Sequence, residues 1–390
     1  MILRSLRRAG RIAARTAPAP LRRGLDGVRV TPRPLVAHGL TGAVLEHIPL
    51  RVADGTHLAL CRVHRGDDLP RPAVLLLHGH TASADMFTLP ETRNLTEALL
   101  DAGYEPWLLD WRGSCRLPYN ECGPRYSYDD VALYDIPEAV AHIRGRIGAD
   151  AQLFAVAHCI GALTLSLSLT AGLVPGLSGV VAQGVFLTPK LYGKSRLPMM
   201  IGPELLRGRQ SYQAVDIRKA GLFSSQTLAF ALAARGAECT DPTCQILHNS
   251  AWGMGASLYV HENLHPRTHD RLAELFGSAP LSTTAHLRQM DLAHTVGRWH
   301  QSDRRYAALP VDAVAAAGRI DCPVLLISGN ENKLWADSNK VCHEVLTSRH
   351  PHLDVRYTEV AGYGHVDPFI GRGAAFDVFG HIVNFLDELR

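Results

Sequence analysis

The chain has 390 residues, 46% of them hydrophobic, with 40 Lys and Arg against 37 Asp and Glu and a formal net charge of +3. That length buries one large core or two modest ones, and the near balance of charge gives no reason to expect a nucleic-acid partner. Eight cysteines (Cys61, Cys115, Cys122, Cys159, Cys239, Cys244, Cys322, Cys342) are too sparse for a disulfide scaffold and point to a reducing, cytoplasmic setting. No run of apolar residues is long enough to span a bilayer.

Residues 1–40 are a basic segment in which Arg4, Arg7, Arg8, Arg11, Arg15, Arg22 and Arg23 precede the first acid, Asp26. It reads as a solvated tail. Ile2, Leu3, Leu6 and Ile12 leave open a weak contact with a membrane surface or a protein. Next, Ala43–Pro49 and Thr56–Val63 alternate in polarity around Asp54-Gly55, which predicts an antiparallel hairpin. Continuous apolar runs follow at Ala73–Leu77, Pro106–Leu109, Leu153–Val156, Val180–Val185 and Val324–Ile327, the pattern of strands covered on both faces of a parallel sheet. Helical stretches at Glu91–Ala102, Val131–Ile147, Ile160–Thr170 and Ser338–Leu346 alternate with them. The expected architecture is a mostly parallel, doubly wound α/β sheet whose core takes 41–188 and 319–390. Residues 189–318 are too many for a loop and are expected to form an inserted, mainly helical cap.

The chemistry concentrates at Phe154–Leu163, where an apolar strand enters a small-x-nucleophile-x-small turn, Ala157-His158-Cys159-Ile160-Gly161, and leaves as a helix. Such an elbow lifts a nucleophile to the top of a sheet, and here the nucleophile is the thiol of Cys159. A thiolate beside an imidazolium at rest is one expectation for such a pair. The strand Leu75–Leu77 ends in His78-Gly79-His80, so the N–H groups of His80 and Ile160 are the expected oxyanion hole. His365 lies in the loop Tyr363-Gly364-His365-Val366-Asp367 after the strand-like Val355–Val360 and is the expected base. The residue orienting it is sought after the strand Val324–Ile327. Asn332 stands three residues beyond Gly329, Glu331 carries the charge one residue earlier, and Asp337 is a further alternative.

These residues carry a resemblance to α/β-hydrolases from about Ala43 onward. More narrowly, His158–Gly161, the Cys239–Cys244 spacing, Tyr259–Leu264, Thr268–Asp270, Gly329–Asn332 and Gly362–Pro368 resemble the hydrolase modules attached to bacterial cholesterol-oxidase-type flavoenzymes. Gly253-Met254-Gly255 and Gly371-Arg372-Gly373 do not follow strands as a dinucleotide fingerprint requires, so no flavin and no other cofactor is expected. The function expected is a cysteine-dependent hydrolase that cleaves an ester, lactone or thioester of a lipophilic small molecule through an acyl-thioester. Two alternatives stand. One is an acyltransferase or synthase with a non-water acceptor, since His158–Gly161 also resembles polyhydroxyalkanoate synthases. The other is a binding or partner module without catalysis.

Several motifs are weighed as structural. His261-Glu262-Asn263-Leu264-His265 matches a zinc-protease helix, but Pro266 ends the helix at once, so no metal is expected there. Cys239 and Cys244, with His248 nearby, are read as packed thiols over a metal site or a disulfide. Ser127 with Asp130 reads as a helix start, Pro137 suits the first turn of a second helix, and Asp110-Trp111-Arg112-Gly113 either shapes the mouth of the site or fixes a turn.

Overall fold

The computed structural model of the chain describes residues 39–67, 69–117, 119, 126–193, 196, 212–213, 239–249 and 257–390. Residues 1–38 of the basic segment therefore lie outside the described residues, as does Cys122. The hairpin forms first: β1 (Val44–Arg51) and β2 (His57–His64) pair antiparallel from Val44 opposite His64 to Arg51 opposite His57. Gly55, at φ 89°, supplies the left-handed residue the turn requires, and Asp54 Oδ1 accepts the Thr56 N–H at 3.0 Å.

After the hairpin come β3 (Ala73–Leu77), α1 (Leu95–Asp101), β4 (Glu105–Asp110), α2 (Ile136–Ile147), β5 (Leu153–His158), α3 (Ile160–Thr170) and β6 (Gly179–Gln183). The described part of the insertion holds α4 (Pro242–Asn249), α5 (Pro266–Asp270) and α6 (Leu281–Ala293). The chain returns through β7 (Val324–Gly329), α7 (Ser338–Arg349), β8 (Val355–Val360) and α8 (Phe379–Glu388). The sheet runs β1-β2-β4-β3-β5-β6-β7-β8. Strands β3 to β8 are mutually parallel, and β2 joins β4 antiparallel. Every residue of β3, β4, β5 and β6 is buried, which is why their sequences are apolar without alternation except at strand ends such as Glu105, Asp110, His158 and Gln183.

Two helices depart from the sequence expectation for local reasons. α1 starts at Leu95 instead of Glu91 because Asn94 and Glu97 close a capping box. The stretch before α2 begins at Tyr128 with a second capping box, Ser127 with Asp130, and widens into a π turn at Val131–Asp135. Pro137 has no N–H to offer Ala132, and the Ser168 hydroxyl of α3 donates to that carbonyl instead, at 2.8 Å. α3 is buried along all 11 residues. Its polar members are satisfied within the protein, since Thr164, Ser166 and Thr170 each donate to a carbonyl of the preceding turn and Ser168 donates to Ala132 O.

The insertion holds a strand pairing that the apolar pattern did not reveal: Tyr212 and Gln213 pair antiparallel with Pro280 and Ala279. Among the described residues, no helix is long and apolar enough to cross a membrane.

Candidate active site

The parallel strands deliver four loops to one end of the sheet, and the loop that carries Cys159 is strained. Cys159 sits between β5 and α3 at φ 55°, ψ −121°, a conformation costing about 1–3 kcal/mol for a residue with a Cβ. It is held from both sides: its N–H donates to Gln183 O at 2.9 Å and its carbonyl accepts the Leu163 N–H at 3.0 Å. Two glycines make room. A Cβ at Gly161 would lie 2.6 Å from His78 O, and one at Gly79 would lie 2.7 Å from His158 Cδ2 and 3.1 Å from Cys159 Cβ.

The backbone N–H groups of Ile160 and His80 both reach the Cys159 sulfur, and the Trp335 indole N–H donates to it at 3.5 Å. Burial nevertheless dominates and pushes the thiol up to about 11. The His80 loop is fixed by its surroundings. Trp111 stacks on His78 with ring centroids 5.1 Å apart and donates to His78 O at 3.0 Å. The His80 ring meets Tyr128 edge-on at 5.6 Å, and its Nε2 lies 3.2 Å from Thr283 Oγ1 of α6. The His80 loop is thus tied both to Trp111 after β4 and to Thr283 of α6.

Ring nitrogens of His158 and His365 and the Cys159 sulfur all lie within 4.8 Å of one another. His365 is seated by Leu258 O, which accepts its N–H at 3.0 Å, and by Gln183 Nε2, which donates to its carbonyl at 3.0 Å. Its Nε2 is buried without a hydrogen-bond partner among the described residues. The two candidates for orienting it separate cleanly. The Glu331 carboxylate is exposed beside Lys333 Nζ at 3.7 Å, away from the ring. Asn332 is buried, with its Nδ2 3.4 Å from His365 Nδ1. The third candidate, Asp337, is half exposed and pairs with Lys190 at 2.7 Å.

Asn332 presents a donor to the His365 ring. Its Oδ1 is occupied by the N–H groups of Leu334 and Trp335, both at 3.1 Å, which turns the amide nitrogen toward the ring. A donor at Nδ1 requires the lone pair there and places the imidazole proton on Nε2. Burial, followed by the neighbouring His158, also holds the His365 pKa well below its ordinary value. The resting pair is therefore a neutral thiol and a neutral imidazole, in place of the thiolate–imidazolium pair that the residue types allowed. A thiol at about 11 is ionised in about one molecule in 10⁴ at pH 7. Alkylation of Cys159 by iodoacetamide is expected to rise about tenfold per pH unit from pH 7 to pH 9.5. A rate already level at pH 7 would contradict this charge state.

The family model described as "Alpha/beta hydrolase family" matches residues 74–377. The chain belongs to the alpha/beta hydrolase family. It is 24% identical over 365 residues to Triacylglycerol lipase 1 of Arabidopsis thaliana, a match covering 89% of this chain and 88% of the plant protein. It is 28% identical over 176 residues to the human lysosomal acid lipase/cholesteryl ester hydrolase, covering 39% of this chain and 43% of the human one. In fold it is similar to a thermostable carboxyl esterase from Bacillus coagulans (TM-score 0.60, 14% identity, 89% of this chain and 99% of that one). It is likewise similar to a lipase in an open form (TM-score 0.56, 16% identity, 89% and 99%).

In this hydrolase three contributors to the site had gone unread in the sequence: Trp335, His158 and Gln183. Gln183 donates through Nε2 to His365 O and so turns Oε1 to His158 Nδ1, 2.5 Å away, fixing the proton there. Its position at the end of β6, beside the elbow strand, was the available signal. Asp110 and Arg112 prove structural. Asp110 accepts from Ala84 N and the Ser114 hydroxyl, and burial lifts its pKa to about 6. Arg112 pairs with Asp135 at 2.6 Å and Asp54 at 2.7 Å. The zinc-protease pattern fails in three dimensions, because His261–Asn263 is a 3-10 turn and His265 caps α5 with Nδ1 accepting from Arg267 N. The His248 side chain lies outside the described residues.

Proposed function

We propose that this hydrolase cleaves a carboxylic ester of a lipophilic small molecule through a thioester on Cys159. What supports the reading is the convergence on one sulfur of two backbone N–H groups and an imidazole from the far end of the chain. The family's relatives named above, lipases and an esterase, supply the ester chemistry. The Cys159 proton passes to His365 Nε2 as sulfur bonds to the carbonyl carbon, while the N–H groups of His80 and Ile160 hold the oxyanion. The alcohol leaves with that proton. Water, deprotonated by His365, then attacks the thioester; the C–S bond breaks, the acid is released and Cys159 recovers its proton from His365.

His365 can accept a proton at Nε2 only in its other tautomer, with Nδ1–H facing an acceptor. Reaching it needs Asn332 to turn its amide, which takes Oδ1 from the N–H groups of Leu334 and Trp335 at about 1–3 kcal/mol for each donor left unmet. The enzyme is thus attenuated in its ground state. Residues 189–318 act as the cap in this reading, and a reducing, cytoplasmic setting keeps the thiol usable. The narrower likeness to modules of cholesterol-oxidase-type flavoenzymes rests on short motifs and adds no activity.

Acyl transfer is the second reading, favoured by burial: Cys159 is 4% exposed, a setting that disfavours water as acceptor. Exposure to a panel of activated acyl esters, followed by intact-protein mass spectrometry, is expected to add one acyl group at Cys159. Release as free acid at every acceptor concentration selects hydrolysis, and acceptor-dependent products select transfer. No adduct with any ester, under conditions where esters are turned over, overturns the thioester.

A further inference from the structure

The insertion brings together four residues far apart in sequence. Cys239 stands just before α4, Cys244 lies in its first turn, His261 comes from the 3-10 turn and His269 from α5. One donor atom from each lies within 4.8 Å of all the others. Cys239 Sγ is 3.4 Å from His269 Nε2, and the rings of His261 and His269 have centroids 4.9 Å apart. We propose that Cys239, Cys244, His261 and His269 form a structural zinc site.

The chemistry of the donor set favours it. Two thiolates and two imidazoles are a closed tetrahedral zinc set, and bonds of about 2.0–2.3 Å put neighbouring ligand atoms about 3.3–3.8 Å apart, so the group needs only a small contraction. Each sulfur also has an outer donor: Asp241 N–H reaches Cys239 Sγ at 3.3 Å, and Tyr259 O–H reaches Cys244 Sγ at 3.2 Å. Such donors balance thiolate charge. Four protein ligands leave no open position, so the ion holds structure and takes no part in catalysis. It revises the sequence reading of two packed thiols, and it pairs His261 with His269, eight residues on, in place of His265.

The site has a place to act. Residues 257–264 seat the His365 loop: Leu258 O accepts the N–H groups of His365 and Val366, and Asn263 Nδ2 donates to Gly362 O and Asp367 Oδ2, both at 2.7 Å. Zinc would pin α4 to this segment and stiffen the seat. The inference stands whether or not the thioester reading holds.

Full-length protein made with zinc under reducing conditions is expected to carry one zinc per chain by elemental analysis. Cys159→Ala retains it, and Cys239→Ser combined with Cys244→Ser loses it. Because the double variant can fail to fold, Co(II) added to metal-stripped wild-type protein gives the second readout: thiolate-to-cobalt charge-transfer bands with tetrahedral ligand-field bands. Wild-type protein without bound zinc, or with Cys239 and Cys244 joined as a disulfide and no cobalt bands, overturns the proposal. So does zinc that departs with Cys159→Ala.

Discussion

Asn332→Asp is expected to raise kcat/KM toward esters by about 10²–10⁴, because an amide in place of the carboxylate of a nucleophile–His–acid triad costs about 10⁴ by imposing the wrong tautomer. The physical case rests on which atoms Asn332 presents. One oxygen is already taken by Leu334 N and Trp335 N, so the second arm alone faces His365 Nδ1. As NH₂ it donates and keeps the proton on Nε2, whereas a carboxylate oxygen would accept Nδ1–H and free Nε2 to take the Cys159 proton. The same charge favours the imidazolium, so the His365 pKa rises and Cys159 alkylation at pH 7 accelerates. Steady-state kinetics and alkylation rates across pH check both. A folded variant no faster than wild type would mean that Asn332 does not set the tautomer.

Cys159→Ala is expected to lower kcat by at least about 10³, leaving the residual catalysis that binding and oxyanion donors give without a nucleophile. Ala tolerates φ 55° no better and no worse than Cys, so the elbow's strain is unchanged and the variant isolates the sulfur. Cys159→Ser separates thiol from hydroxyl chemistry. A serine hydroxyl is a far weaker acid, so beside Asn332 it is expected to be nearly inert, and to regain turnover when combined with Asn332→Asp. That recovery is a coupling energy between the two positions that a merely packed cysteine would not show. Wild-type turnover by Cys159→Ala would place the chemistry elsewhere and overturn the role of the thiol.

Much of the fold was legible because its strands are buried on both faces and its turns use glycine. β3 has the bounds expected from the sequence, α3 likewise, and the Asp54-Gly55 hairpin pairs as its polarity pattern predicts. The insertion was legible only as an interruption, since Tyr212-Gln213 and Ala279-Pro280 are too short to carry a period and pair across more than sixty residues.

The amino-acid sequence by itself determined which groups stand at the ends of the parallel strands: Cys159 at the elbow, His80 and Ile160 beside it, Asn332 and His365 in the later loops. Strand-to-loop order does this locally, through apolar runs and the glycines that end them. Only the tertiary structure decided what state those groups are in. Burial keeps the thiol protonated, and two backbone N–H groups from Leu334 and Trp335 turn the Asn332 amide so that it donates where the residue type alone would have allowed it to accept. The gathering of Cys239, Cys244, His261 and His269 is of the same kind, because separations of five to thirty residues carry no distance until the chain is folded.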